Sequence, residues 1–172
     1  DFPFRRNGSL VVCQNEEELS KLEELKERGK ENGVEGLRIL TREEALELEP
    51  ALADSVYAAL YAPTGGIVCP FLMNIAYAEN AAINGVKFQL GTCVQDIQRC
   101  HQVSGFEVIT NQGTLYSKYV INAAGVYADE IHNMVSEKKL HITPRRGEYC
   151  LLDKNAGTLV SHTIFQVPGE MG

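Results

Sequence analysis

The stretch Tyr119-Val-Ile-Asn-Ala-Ala-Gly125 constrains the fold most. A short apolar run ends in small residues, and an amphipathic stretch over residues 126–137 follows with Ile131, Met134 and Val135 on its inner side. A buried strand that breaks at small residues and opens a helix is the building block of an α/β layer. The turn brings backbone close to its surroundings, and the free N–H groups of the helix start suit an anion. The same small residues also suit plain helix-on-strand packing, so the pattern leaves both readings open.

Helical and strand periods alternate along the rest of the chain. Residues 9–13 read as a strand and 15–30 as a helix, with Asn15 as cap and Glu16, Glu17 and Glu18 at the positive end of the dipole. Leu19, Leu22 and Leu25 form its apolar stripe, and Glu17/Lys21 and Glu24/Arg28 are spaced as ion pairs on a solvated face. Thr41-Arg-Glu-Glu44 is a capping box for a short helix that Pro50 stops. A strand over 56–62 and a turn over 63–66 follow. Pro70 then suits the first position of a helix that runs to Asn84 and stops at Gly85. Its face of Leu72, Ile75, Ala76, Ala82 and Ile83 is expected to pack on a sheet.

From Val86 the period becomes two. Strands are expected over 86–90, 92–99, 105–110 and 113–116, with turns at 101–104 and 111–113, and again over 119–122. Three more are expected over 147–152, 158–161 and 163–167. The fold class is therefore α/β plus β, α+β overall. The beginning and end of the chain are expected to share one sheet, with the α/β unit inserted between them.

Charge and cysteines narrow the function. A formal net charge of −7 argues against a free nucleic-acid binder. No apolar run reaches the roughly 20 residues of a membrane helix. Cys13, Cys69, Cys93, Cys100 and Cys150 are odd in number and widely spaced, and His101, His132, His141 and His162 do not stand at metal-ligand spacing with them. No metal site is expected. Free thiols in a reducing compartment are, which makes the protein cytoplasmic, with peripheral membrane attachment an option in a longer parent.

Three further features could carry chemistry. Pro144-Arg-Arg-Gly-Glu-Tyr149 could place one guanidinium on a carboxylate or phosphate, or leave both arginines solvated at a strand start. His162 and Phe165 stand near the end; His162 could act as a base or an oxyanion partner, but it has no partner visible in the sequence, and an ordinary surface or satisfied histidine is the favoured reading. Cys69 could be reactive at a helix start, but plain packing explains it as well. Neither the Gly-x-Gly-x-x-Gly fingerprint nor a Walker phosphate loop occurs.

The run Val120-Ile-Asn-Ala-Ala-Gly-Val-Tyr-Ala-Asp129 resembles the "NAAG-aromatic-A" signature of FAD-dependent oxidoreductases of the D-amino-acid oxidase type. Gly8-Ser-Leu-Val-Val12, Gly66-Ile-Val-Cys-Pro70 with Asn84-Gly85-Val86, and Pro144-Arg-Arg-Gly-Glu-Tyr149 resemble further blocks of that superfamily, in the same order. The flavour is closest to the bacterial glycerol-3-phosphate dehydrogenase branch, where Gly-Glu-Tyr-x-Leu-Leu-Asp follows the arginines as in Gly147 to Asp153. The L-2-hydroxyglutarate oxidase branch shares an Arg-Gly-Glu-Tyr strand. Cys69 stands where many relatives have Asp, and Tyr127 where many have Trp.

The resemblance implies FAD as cofactor. Val94 matches the position whose backbone meets the adenine, and Ala123, Ala124 and Gly125 match the segment beside the ribose and pyrophosphate. Arg146, Tyr149, His162 and Phe165 match strands that roof the flavin ring and face a small anionic substrate. Residues 68–139 would be the central part of a Rossmann-like FAD-binding domain, and residues 1–67 and 140–172 two parts of a mixed-sheet substrate domain. The implied activity is oxidation of glycerol 3-phosphate to dihydroxyacetone phosphate, or of a 2-hydroxy or amino acid on the same scaffold. No catalytic base is identified. The chain reads as an internal fragment, inactive by itself, whose partners are the remaining segments of its parent. Such a piece is expected to self-associate through open sheet edges and apolar surface. The contrasting possibility is a cofactor-free interaction domain.

Overall fold

A computed structural model describes residues 2–100 and 104–169. The chain divides into two compact units, one of Asp1–Asn84 with Leu151–Gly172 and one of Gly85–Cys150. In chain order the first unit runs β1 (Phe4–Arg5), β2 (Ser9–Cys13), α1 (Leu19–Glu31), β3 (Arg38–Thr41), α2 (Arg42–Leu48), β4 (Ala58–Ala62), β5 (Ile67–Val68) and α3 (Pro70–Ile83). The second contains β6 (Val94–Arg99), β7 (Phe106–Thr110), β8 (Gly113–Ser117) and α4 (Ala128–Val135). The chain then returns to the first unit with β9 (Thr163–Gln166). The architecture is the expected α+β.

The first unit is built on a four-stranded sheet in the order β3-β4-β2-β9. β2 lies antiparallel to β4, with Leu10 opposite Tyr61, and parallel to β9, with Leu10 opposite Ile164. Beginning and end of the chain thus share a sheet, as the alternation of patterns indicates. On one face Leu10, Val12 and Ala59 pack with Leu40, Ala45 and Val56. On the other, Cys13, Ala58 and Leu60 pack with Leu22, flanked by Leu19 and Leu25. Both faces are covered, which is why β2 and β4 are continuous apolar runs rather than alternating ones.

Local signals place most elements correctly. Thr41 Oγ1 accepts from Glu44 N, and Glu44 returns a carboxylate to Thr41 N at 2.8 Å, completing the capping box. Pro70 opens α3, and Gly85 follows its cap with φ +89°. α1 begins four residues later than expected. Asn15 Oδ1 does accept from Glu18 N at 3.0 Å, but it closes a turn ahead of the helix, so Glu16, Glu17 and Glu18 precede the first helical turn. The ion pair on α1 is Lys30–Glu27 rather than either expected spacing.

The second unit is a β6-β7-β8 meander with α4 packed on β6. Its turn at 111–112 is as expected, while residues 101–103 of the other turn lie outside the described residues. A short 3-10 turn, Gly125–Tyr127, precedes α4. Ile131 and Met134 are half-buried, but Val135 is exposed and Asp129 is buried.

Four expected strands are absent: residues 86–90, 119–122, 147–152 and 158–161 carry none. A strand persists where its N–H and C=O groups meet another strand, and no described strand pairs with these segments. Ile121 is 89% exposed and Tyr149 97%. α3 likewise buries no residue, so its apolar face meets no sheet.

Candidate functional site

The Ala123-Ala124-Gly125 turn is shaped by Asn122, a residue given no role from sequence. Its Nδ2 donates to Ala128 O at 2.7 Å, and its Oδ1 accepts from Ala124 N at 3.2 Å. The amide ties the turn to the start of α4. Gly125 has φ +58°, and a Cβ there would meet nothing within 4 Å. The turn is therefore open on one side and bears only small side chains. These residues fit a ligand that needs backbone at close range, such as the ribose and pyrophosphate of a dinucleotide. Val94 opens β6 opposite Thr110, beside a β-bulge, and is half-buried.

Several hydrogen bonds fix the segment after α4. Asn133 exchanges hydrogen bonds with Leu140, donating to its O and accepting from its N, both at 2.9 Å. Asp129 accepts from Ile142 N at 2.7 Å. That hydrogen bond, working against burial, holds the Asp129 carboxyl below its ordinary value. Arg146 and Tyr149 follow in an irregular, exposed stretch, where Arg146 pairs with Glu148 at 2.6 Å. The pair is solvated and has little energetic weight.

His162 lies in the first unit and is not solitary. Its Nδ1 stands 2.7 Å from Oε1 of Glu49, which is 2% exposed. The same oxygen accepts from Ser161 N and His162 N, both at 2.7 Å, and from Ser161 Oγ at 2.5 Å. Burial would raise the Glu49 carboxyl, but these donors overcome it and hold it at about 2. The ring meets Tyr61 edge-on at 5.8 Å. Phe165 is paired with Val11 in β9 and is exposed. It points away from the Ile164 face on which His162 meets Tyr61, because neighbours in a strand alternate.

The structure thus brings His162 to Glu49 and Ser161, and it sets Phe165 on the opposite face of the same sheet. Cys69 is a half-buried free thiol at the cap of α3. A cavity of about 690 Å³ beside Thr41, Arg42 and Tyr57 includes none of the expected residues. No described helix is long and apolar enough to cross a membrane.

A family model for FAD dependent oxidoreductases matches residues 1–171. Glycerol 3-phosphate dehydrogenase of Caloramator mitchellensis is 48% identical over all of this chain, which covers 35% of it. L-2-hydroxyglutarate dehydrogenase of Indibacter alkaliphilus is 34% identical over 98% of this chain and 42% of its own length. Among solved structures, dithionite-reduced L-alpha-glycerophosphate oxidase of Mycoplasma pneumoniae with FAD bound matches with a TM-score of 0.78 at 27% identity. That match covers 97% of this chain and 44% of the oxidase. The chain spans less than half the length of these relatives.

Proposed function

Since the chain belongs to the family of FAD-dependent oxidoreductases, we propose that it is part of an enzyme that oxidises glycerol 3-phosphate to dihydroxyacetone phosphate. The observation that carries this reading is the 48% identity to a glycerol 3-phosphate dehydrogenase, which extends over the whole chain. When bound, FAD supplies the two-electron acceptor for a hydride leaving the alcohol carbon. The chain's own residues hold and orient. Ala123, Ala124 and Gly125 receive the ribose and pyrophosphate at the open turn, and the Val94 backbone meets the adenine. Residues 68–139 then belong to the FAD-binding domain and the flanking stretches to the substrate domain.

Arg146, Tyr149 and His162 face the substrate in this reading, with Arg146 on the phosphate, while Phe165 lies on the other face of its sheet and is left out of the site. To serve, Arg146 exchanges its solvated partner Glu148 for the ligand. An arginine suits a phosphate because its fork donates two parallel hydrogen bonds. The five free cysteines support a reducing, cytoplasmic setting.

The visible spectrum of the complete enzyme tests the reading. Flavin bands that bleach on anaerobic addition of glycerol 3-phosphate support it. Bleaching only with a 2-hydroxy acid moves the substrate, an alternative favoured by the 34% identity to an L-2-hydroxyglutarate dehydrogenase. No flavin even after adding FAD would leave the interaction-domain alternative.

A further inference from the structure

We propose that Glu49 is a clasp for the returning end of the chain: its carboxylate fastens Ser161 and His162, and with them β9, as a strand that opens separately from the rest of the first unit's sheet. The clasp lies wholly within the first unit, and nothing in it depends on the function proposed above.

The clasp has a rigid base. Glu49 closes α2, its N donating to Ala45 O at 2.9 Å and its O accepting from Leu52 N at 3.1 Å. Ala45 is fully buried, and Leu48 and Leu52 pack on the same cluster. This fixed backbone holds the side chain against a residue 112 positions away. One oxygen, Oε1, accepts from Ser161 N, Ser161 Oγ and His162 N, and it faces Nδ1 of His162 at 2.7 Å. Burying a carboxylate is costly unless donors replace its water. Here they do: Glu49 is 2% exposed, and its carboxyl is nonetheless held down at about 2. Asn7 Nδ2 adds a bond to Ser161 O at 3.2 Å, so the anchored residue is held from two sides.

The strand beyond the clasp has little else to hold it. β9 is an edge strand that pairs with β2 alone, through four residues in parallel register. None of its residues is buried, whereas β4 buries Ala58, Ala59 and Leu60. Phe165 is exposed, and Ile164 is only partly buried against the core. The backbone bonds at its two ends, Thr163 N to Gly8 O at 3.2 Å and Val167 N to Val12 O at 3.1 Å, both run to the β2 side. A short, half-exposed edge strand gains little from burial. Hydrogen bonds to a buried charge are the strong class. The clasp therefore decides whether β9 is docked, and without it this strand is the part of the sheet that opens first.

Hydrogen exchange by mass spectrometry on the full-length protein tests this without turnover. Glu49→Gln keeps the shape of the side chain and removes its charge. It is expected to speed exchange over residues 163–167 at least about tenfold, the loss that a charged hydrogen bond represents, while β3 and β4 exchange as in wild type. Ser161→Ala removes one donor and leaves the carboxylate. It is expected to show the same selectivity with a smaller effect, about threefold. Equal acceleration of β3, β4 and β9 overturns the proposal, because Glu49 would then hold the whole core rather than one strand. Exchange over 163–167 that stays within about twofold of wild type overturns it too. If Glu49→Gln does not accumulate as folded protein, Ser161→Ala decides by the same two criteria.

Discussion

The two units differ in how they satisfy the same kind of sequence. Among the described residues, nearly all buried apolar side chains lie in the first unit, and the second contributes Ile97 alone. The first unit covers both faces of its sheet with its own helices, and it closes on Leu10, Leu22, Leu40 and Ala59. The second has a regular meander but leaves Tyr119, Ile121 and Leu90 open. Strand-forming residues are abundant in both, so the difference is one of available partners. An apolar run becomes a strand where a neighbour pairs its backbone, and stays irregular where none does.

Core deletions test the contrast most strongly. Leu22→Ala or Leu40→Ala is expected to cost the first unit about 2–5 kcal/mol in urea unfolding, since both sites are enclosed. Ile97→Ala is expected near the bottom of that range, about 2 kcal/mol. An equal cost at all three would break the comparison.

Acid comes next. The Glu49 carboxyl sits at about 2 against an ordinary 4.5, so its contribution is present above pH 4.5 and lost as pH falls through 2. Linkage makes this about 3 kcal/mol. The first unit should weaken over that window, and Glu49→Gln should flatten the slope. In the second unit the Asp129 carboxyl is also held below its ordinary value, chiefly by Ile142 N. That attachment is likewise present above the ordinary carboxylate pKa and lost in acid.

Smaller effects sharpen the picture locally. Thr41→Ala removes one half of the capping box and is expected to cost about 1 kcal/mol, read as a shift in midpoint. Asp129→Asn is expected to speed amide exchange at Ile142 while the β6–β8 amides keep their protection. Exchange spreading through the meander would show the two elements to be one cooperative body. Finally, light scattering on the 172-residue chain is expected to show self-association, given Phe71 and Ile83 exposed on α3.

Much of this was legible in the residues because the signals are local. The Thr41–Glu44 box, the Pro70 start and Gly85 stop, the meander and the strand of residues 9–13 each depend on neighbours within a few positions. The small residues at 123–125 likewise announced an open turn, though Asn122 as the group that shapes it did not stand out. Strand propensity at 119–122 misled for a definite reason: pairing partners are not a local property.

The sequence by itself determined the helices, the meander and the small-residue turn, since short-range spacing encodes them, and its ordered motifs carried the family resemblance. Tertiary structure alone decided which apolar runs found a sheet and that β9 lies parallel to β2. It also decided that Glu49 meets His162 across 113 positions. Nothing in either local stretch marks that pair, because a buried carboxylate and an imidazole become partners only when the chain returns and a shared sheet brings them within hydrogen-bond reach.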